Sequence, residues 1–158
     1  VKGIIVRIDD RLVHGQVSAG WVEPLGIRRV VLANDAIAGD ELERELYRTA
    51  VPEGVEFVAA GVAEAAALLA KPGPEPCIVL VESVGDALRL VEAGLAVQGI
   101  NVGGVHSGAG RAEVLPFVYL TAEERAEVRA LAAKGVKLEA KMLPHSEAWD
   151  LAELVGKQ

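Results

Sequence analysis

Short runs of almost unbroken apolar residues recur along this chain, and helical spacing or a turn cluster separates each from the next. The runs fall at Lys2 to Ile8, Arg29 to Asn34, Val55 to Ala60, Ile78 to Val81 and Gly99 to Val102. A strand that is apolar throughout must be covered on both faces. Strands of that kind alternating with helices predict an α/β fold: a mainly parallel central sheet with helices on both faces.

The helices are expected from Gly15 to about Leu25, closed by Pro24 and Gly26, and from Gly39 to Val51, with Leu42, Leu46 and Ala50 at helical spacing. Further helices are expected from Val62 to Ala70 and from the cap Ser83, with Asp86 in the capping-box position, to Glu92. Two more run from the Thr121-x-x-Glu124 box to Gly135 and from Ser146 to about Val155. Val114 to Leu120 reads as one more strand, placed at a sheet edge by Pro116. In Val136 to Leu143 apolar and charged residues alternate instead, which predicts an antiparallel edge strand near the C-terminus. No linker divides the chain, so residues 1–158 are expected to form one domain.

A formal charge of -7 argues against a general nucleic-acid or anionic-membrane binder, though it leaves room for a local basic pocket. Cys77, the one cysteine, cannot form an internal disulfide and fits a reducing compartment, as a small buried hydrophobe. No apolar run reaches the ~18 residues of a membrane span, and no stretch reads as a signal peptide. A cytoplasmic protein is the expectation. The three histidines are scattered, without cysteine or carboxylate at ligand spacing, so no metal site is expected.

The chemistry concentrates where strands run out. Ligands of such sheets bind outside the carboxyl ends of the strands, and three of those ends are polar: Asp9 to Gln16, Asn34-Asp35, and Asn101 to Arg111. Strands one, two and five could set these loops side by side. In Ile8-Asp9-Asp10-Arg11-Leu12-Val13-His14-Gly15-Gln16-Val17, the parts of a phosphate-handling site lie together. His14 offers a ring nitrogen as nucleophile near neutral pH. Arg11 can form two hydrogen bonds to phosphate oxygens. Gly15 permits close approach, and the N–H groups of Gly15, Gln16 and Val17 can act as anion donors. Asp9 or Asp10 can orient the ring of His14 or hold Arg11. The same residues could equally form a solvated turn with a helix-capping histidine. His106 could be a second phosphate contact or a simple polar loop residue, and His145 is expected at the surface. Trp21 and Trp149 are expected to pack helix faces onto the sheet.

Ile8 to Val17 closely resembles the active-site segment of the IIB component of the mannose/fructose/sorbose-type phosphoenolpyruvate-dependent sugar phosphotransferase system. The resemblance continues through Arg7, Trp21, Leu32-Ala33-Asn34-Asp35, Pro52-x-Gly54-Val55, Ala87 to Gly94, Ile100-Asn101-Val102-Gly103-Gly104 and Ala133-x-Gly135-Val136. It implies a phosphotransferase without metal or organic cofactor. In this picture His14 takes a phosphoryl group from a phosphohistidine of the IIA component and passes it to a sugar entering through the IIC/IID membrane pair. Arg11 would contact the phosphate, Asp9 and Asp10 would support the histidine, and Arg7, His106 and Arg111 would join Gly15, Gln16 and Val17 as candidate phosphate- or substrate-binding residues. The implied protein is cytoplasmic, held at the inner face of the membrane by its partners, and could form a homo-oligomer.

The chain departs from the family pattern after Asn-Val-Gly-Gly. Ser107 and Gly108 stand where an aromatic residue and an arginine are common, while Arg111 keeps a cation at a position usually held by lysine. That smaller, less basic loop leaves a regulatory or anion-binding module of the same fold as the alternative function. A phosphatase that hydrolyses the phosphohistidine would need an acid to activate water, and none is evident.

Overall fold

The computed structural model describes residues 3–157, so Lys2 of the expected first strand lies outside the described residues. Among the described residues nine strands and seven α-helices follow one another as β1 (Ile4–Asp9), α1 (Gly15–Val17), β2 (Arg29–Ala33), α2 (Asp35–Ala38), α3 (Glu41–Arg48), β3 (Glu56–Ala60), α4 (Val62–Leu69), β4 (Cys77–Val81), α5 (Val84–Glu92), β5 (Gly99–Gly104), β6 (Ala112–Leu115), β7 (Val118–Leu120), α6 (Ala122–Ala133), β8 (Lys137–Ala140), β9 (Trp149–Asp150) and α7 (Leu151–Gly156). Seven strands form one sheet in the order β3-β2-β4-β1-β5-β8-β9, parallel except for β9, which pairs antiparallel with β8.

The unbroken apolar runs have the structural reason that their composition implies. Every residue of β2 and β4 is buried. Along them the side chains alternate between two cores: Val31, Ala33, Cys77, Val79 and Val81 pack with α4, α5, α6 and α7. Val30, Leu32, Ile78 and Leu80 instead meet Leu12, Val17, Trp21 and Ile37 on the opposite face. Helices therefore cover both faces of the sheet.

Five local expectations are corrected. The helix expected over 39–51 is shorter, α3 alone, and a separate short helix, α2, precedes it, because Asn34 and Asp40 each cap a new start by accepting a backbone N–H. Leu42 and Leu46 point outward, 73% and 58% exposed, since α3 rests at the rim of the smaller core through Tyr47. Val114 to Leu120 is a hairpin, β6 and β7, broken at Pro116-Phe117 and separate from the main sheet. The alternating strand near the end, β8, is parallel to β5, and the antiparallel edge is the two-residue β9. Asp150 caps α7, so the last helix begins well after Ser146. Alternation in β8 reflects thin cover on one side rather than strand direction.

In α6 the capping box is complete: Thr121 Oγ1 accepts the Glu124 N–H, and Glu124 Oε1 accepts the Thr121 N–H, both at 3.0 Å. Thr121→Ala should cost about 1 kcal/mol of stability, read as a lower urea midpoint with an unchanged m-value.

Candidate functional site

Strand alternation puts Ile5, Arg7 and Asp9 on one face of β1, and Val6 and Ile8 on the other. The face therefore turns from apolar to charged at the carboxyl end of the strand, in the middle of the sheet. Arg7 is only 4% exposed there. Its guanidinium donates to Asn101 Oδ1 on β5, to the carbonyls of Lys141 (3.3 Å) and Met142 (3.2 Å), and to Asp9 Oδ2 (3.5 Å). It also lies 4.6 Å from the ring centre of Trp21, a cation–π contact. Burial lowers the pKa of Arg7 to about 10, against the opposing pull of Asp9. A shift of that size corresponds to roughly 3 kcal/mol of penalty on the charge, which its hydrogen bonds and the Trp21 face must offset.

The Asn-Val-Gly-Gly segment is built around this cation. Between Ile8 and Asp9 the register with β5 slips, pairing Ile8 with Val102 and Asp9 with Gly104, so Gly103 is the extra residue of a bulge. A Cβ at Gly103 would stand 2.0 Å from the Arg7 guanidinium carbon. Arg7 was expected among the phosphate ligands. It lines the site, but its hydrogen bonds are committed to the protein itself.

Arg7 sits behind Asp9, which is itself 2% exposed. Asp9 Oδ1 accepts the Arg11 N–H at 3.0 Å, and Oδ2 lies 3.0 Å from His14 Nε2. Between them Leu12 adopts φ +57°, a left-handed conformation that is unusual for a branched side chain and costs on the order of 1–3 kcal/mol. Its buried side chain and its N–H bond to the Asp9 carbonyl (2.9 Å) hold the turn there. His14, extended at φ -149°, is the N-cap of α1. With Nε2 on Asp9, the other ring nitrogen, Nδ1, makes no hydrogen bond among the described residues.

The helix that follows is not a plain α-helix. After Val17 it widens to a π-turn over Ser18–Val22, a form that is frequent at functional sites. The wider turn carries Trp21 beneath Arg7, and Trp21 Nε1 donates to the Met142 carbonyl at 2.9 Å. Sequence spacing pointed to core packing for Trp21 but not to its contact with a charge.

Arg11 is exposed and donates to Gln16 Oε1 at 2.9 Å. It stands between two clefts. One, of about 390 Å³, is lined by Arg7, Asp9, Arg11, Gln16 and Met142 among others. The second, of about 200 Å³, is lined by Arg11, His106, Ser107, Phe117 and Tyr119 among others.

Several expected neighbours are placed elsewhere. Asp10 faces away from His14: its carboxylate accepts the His106 N–H at 2.7 Å and lies 2.6 Å from His106 Nδ1. The charge of Arg111 is committed to Glu124 (3.1 and 3.3 Å) and to the His106 carbonyl (3.0 Å). The Asn34-Asp35 end is apart from the site, because β4 lies between β2 and β1. Asp35 there pairs with Arg89 at 2.6 Å and accepts the Val62 N–H. Gly15 has an open side, with nothing within 4 Å of an added Cβ, and Val17 is buried. Among the described residues no group of three or more His, Cys, Asp or Glu could hold a metal ion, and no helix is long and apolar enough to cross a membrane.

Comparisons with known proteins agree over the full length. A family model described as PTS system sorbose subfamily IIB component matches residues 4–158. The fructose-specific EIIB component of Bacillus subtilis is 30% identical over 154 residues, covering 96% of this chain and 94% of that one. The mannose-specific EIIAB component of Escherichia coli is 28% identical, the match covering 97% of this chain and 48% of that longer one. Among solved structures, the IIB domain of the sorbose permease from Klebsiella pneumoniae superposes with a TM-score of 0.90 at 28% identity, covering 98% and 97% of the two chains.

Replacing Arg7 with Met keeps roughly the volume but leaves the buried Asp9 without its buried cation. Removing one partner of a buried pair typically costs about 3–5 kcal/mol, so Arg7→Met should lower the thermal midpoint sharply. An unchanged midpoint would show that the cation is dispensable to the fold.

Proposed function

The chain belongs to the sorbose-subfamily IIB components of the sugar phosphotransferase system, and on that premise we propose that His14 is its phosphoryl carrier. The reaction runs in two halves. His14 takes a phosphoryl group from a phosphohistidine of a IIA partner, then passes it to a sugar entering through IIC/IID membrane components. In this role the chain is a cytoplasmic protein-N(pi)-phosphohistidine–sugar phosphotransferase, one IIB-type domain held at the inner face of the membrane by its partners. The name of the mannose-specific EIIAB relative, which joins A and B in one component, favours a IIA partner.

The observation that carries this reading is the 3.0 Å contact between Asp9 Oδ2 and His14 Nε2. A carboxylate accepting from one ring nitrogen puts the proton there and leaves the lone pair on the other. Nδ1 is then the nucleophile. As its bond to phosphorus forms, the bond to the donor histidine breaks, and the positive charge that develops on the ring of His14 falls beside Asp9. The equatorial oxygens of the group in flight need cations and N–H donors. Arg11 supplies the first from the cleft rim, and the amides of Gly15, Gln16 and Val17 supply the second, since first-turn amides are not used within the helix. In the second half a sugar hydroxyl attacks phosphorus and the electron pair of the P–N bond returns to Nδ1.

The chemistry requires no metal or organic cofactor. The fructose, sorbose, mannose and N-acetylgalactosamine named for relatives favour a hexose or amino-hexose as the acceptor.

Incubation with a purified, phosphorylated IIA donor should place one acid-labile, base-stable phosphate on the chain, with a ³¹P signal of an Nδ1 phosphohistidine. His14→Ala should take up no label. Arg11→Ala, altering an exposed side chain, should fold normally yet transfer about 10²–10³-fold more slowly, the usual effect of losing one charge-stabilising donor. Equal labelling of the His14→Ala protein would sink the assignment.

A further inference from the structure

Two adjacent aspartates each hold a different histidine, and only the first is used by the carrier step. Asp9 faces His14, while Asp10 engages His106 through Oδ1 at 2.6 Å from the ring Nδ1 and through Oδ2 to the backbone N–H at 2.7 Å. The backbone is braced as well: Asp10 donates its N–H to the Gly104 carbonyl (3.0 Å), and Arg111 donates to the His106 carbonyl (3.0 Å) while fastened to Glu124. An ordinary loop histidine is not restrained in so many ways.

The restraint has a chemical result. With Nδ1 on a carboxylate, the proton resides on Nδ1 and His106 Nε2 carries the lone pair. The side chain is 60% exposed and lines the 200 Å³ cleft whose wall it shares with Arg11, the cation of the phosphoryl site. Ser107 and the rings of Phe117 and Tyr119 also line that cleft. The small Ser107 side chain leaves room there for a hydroxyl-bearing group.

We propose that His106, oriented by Asp10, is the general base for the second half-reaction, taking the proton of the acceptor sugar hydroxyl as that oxygen attacks the phosphoryl group on His14. The step balances: the O–P bond forms, the P–Nδ1 bond of His14 breaks with its electron pair returning to the ring, and the hydroxyl proton moves to Nε2 of His106. The assignment rests on His14 being the carrier, and it separates the two halves of the reaction. Donation from a IIA phosphohistidine involves no hydroxyl and has no use for this base. The ionisable groups around His106 are Asp10 and Arg11 from the first loop, Arg111 and Glu124 behind it, and Tyr119 across the cleft.

The test uses His106→Asn, whose side-chain amide can still donate to Asp10 but cannot take a proton. Each protein is labelled by a phosphorylated IIA donor, then mixed with vesicles carrying the IIC/IID components and a panel of hexoses. Labelling should match that of the unaltered chain, while transfer to sugar should fall about 10²–10⁴-fold, the usual range for a general base. Full-rate transfer by His106→Asn would overturn the proposal, as would an equal loss in both half-reactions, which would make His106 a brace for the loop. Failure of the unaltered chain to take label at all would instead overturn the carrier assignment, and this one with it.

Discussion

A positive charge enclosed in the middle of the sheet organises this molecule. Arg7 is almost wholly buried, and a guanidinium does not lose its proton at neutral pH even when burial lowers its pKa to about 10. Its neighbours must therefore supply what solvent would have supplied. Those neighbours come from four parts of the chain: Asp9 on its own strand, Asn101 on β5, the carbonyls of residues 141 and 142 after β8, and the ring of Trp21. Gly103 contributes by having no side chain. Meeting the needs of one cation thus brings together the loops that carry the site.

Asp9 is held at one oxygen by the Arg11 amide and faces Arg7 and His14 at the other. It thus links the buried interior to the ring of His14. The same chain of contacts explains why a local motif of about ten residues can be so informative. The motif contains its own acid, Asp9, and its own exposed cation, Arg11, and the preceding strand residue Arg7 anchors the acid.

Much of the architecture is legible in the residues because burial on both faces leaves no room for polar positions. The unbroken runs of β2 and β4 are of this kind, and the Thr121-x-x-Glu124 box reports its helix as clearly. Where the expectations miss, tertiary placement overrides local pattern. Leu42 and Leu46 have helical spacing but no sheet beneath them. The alternation of β8 signals uneven cover, not direction, and β9 is too short to leave a pattern. In the site, spacing put Asp9 and Asp10 both within reach of His14 and left the choice open, whereas the partner of Asp10 lies 96 positions away, on the loop after the strand beside β1. One overlooked signal was available: period two along β1 puts Arg7 on an inward face, and a charge there demands partners.

Leu12 shows what the loop gives up in exchange for being well placed. Glycine would adopt φ +57° without strain. It would also multiply the shapes open to the loop, so that His14 and Arg11 held their present placement in only a fraction of them. A leucine whose side chain is locked in the core removes that freedom before any partner arrives. In the role proposed for His14, the free energy stored in one awkward backbone angle lowers the entropy that binding a partner would otherwise have to remove.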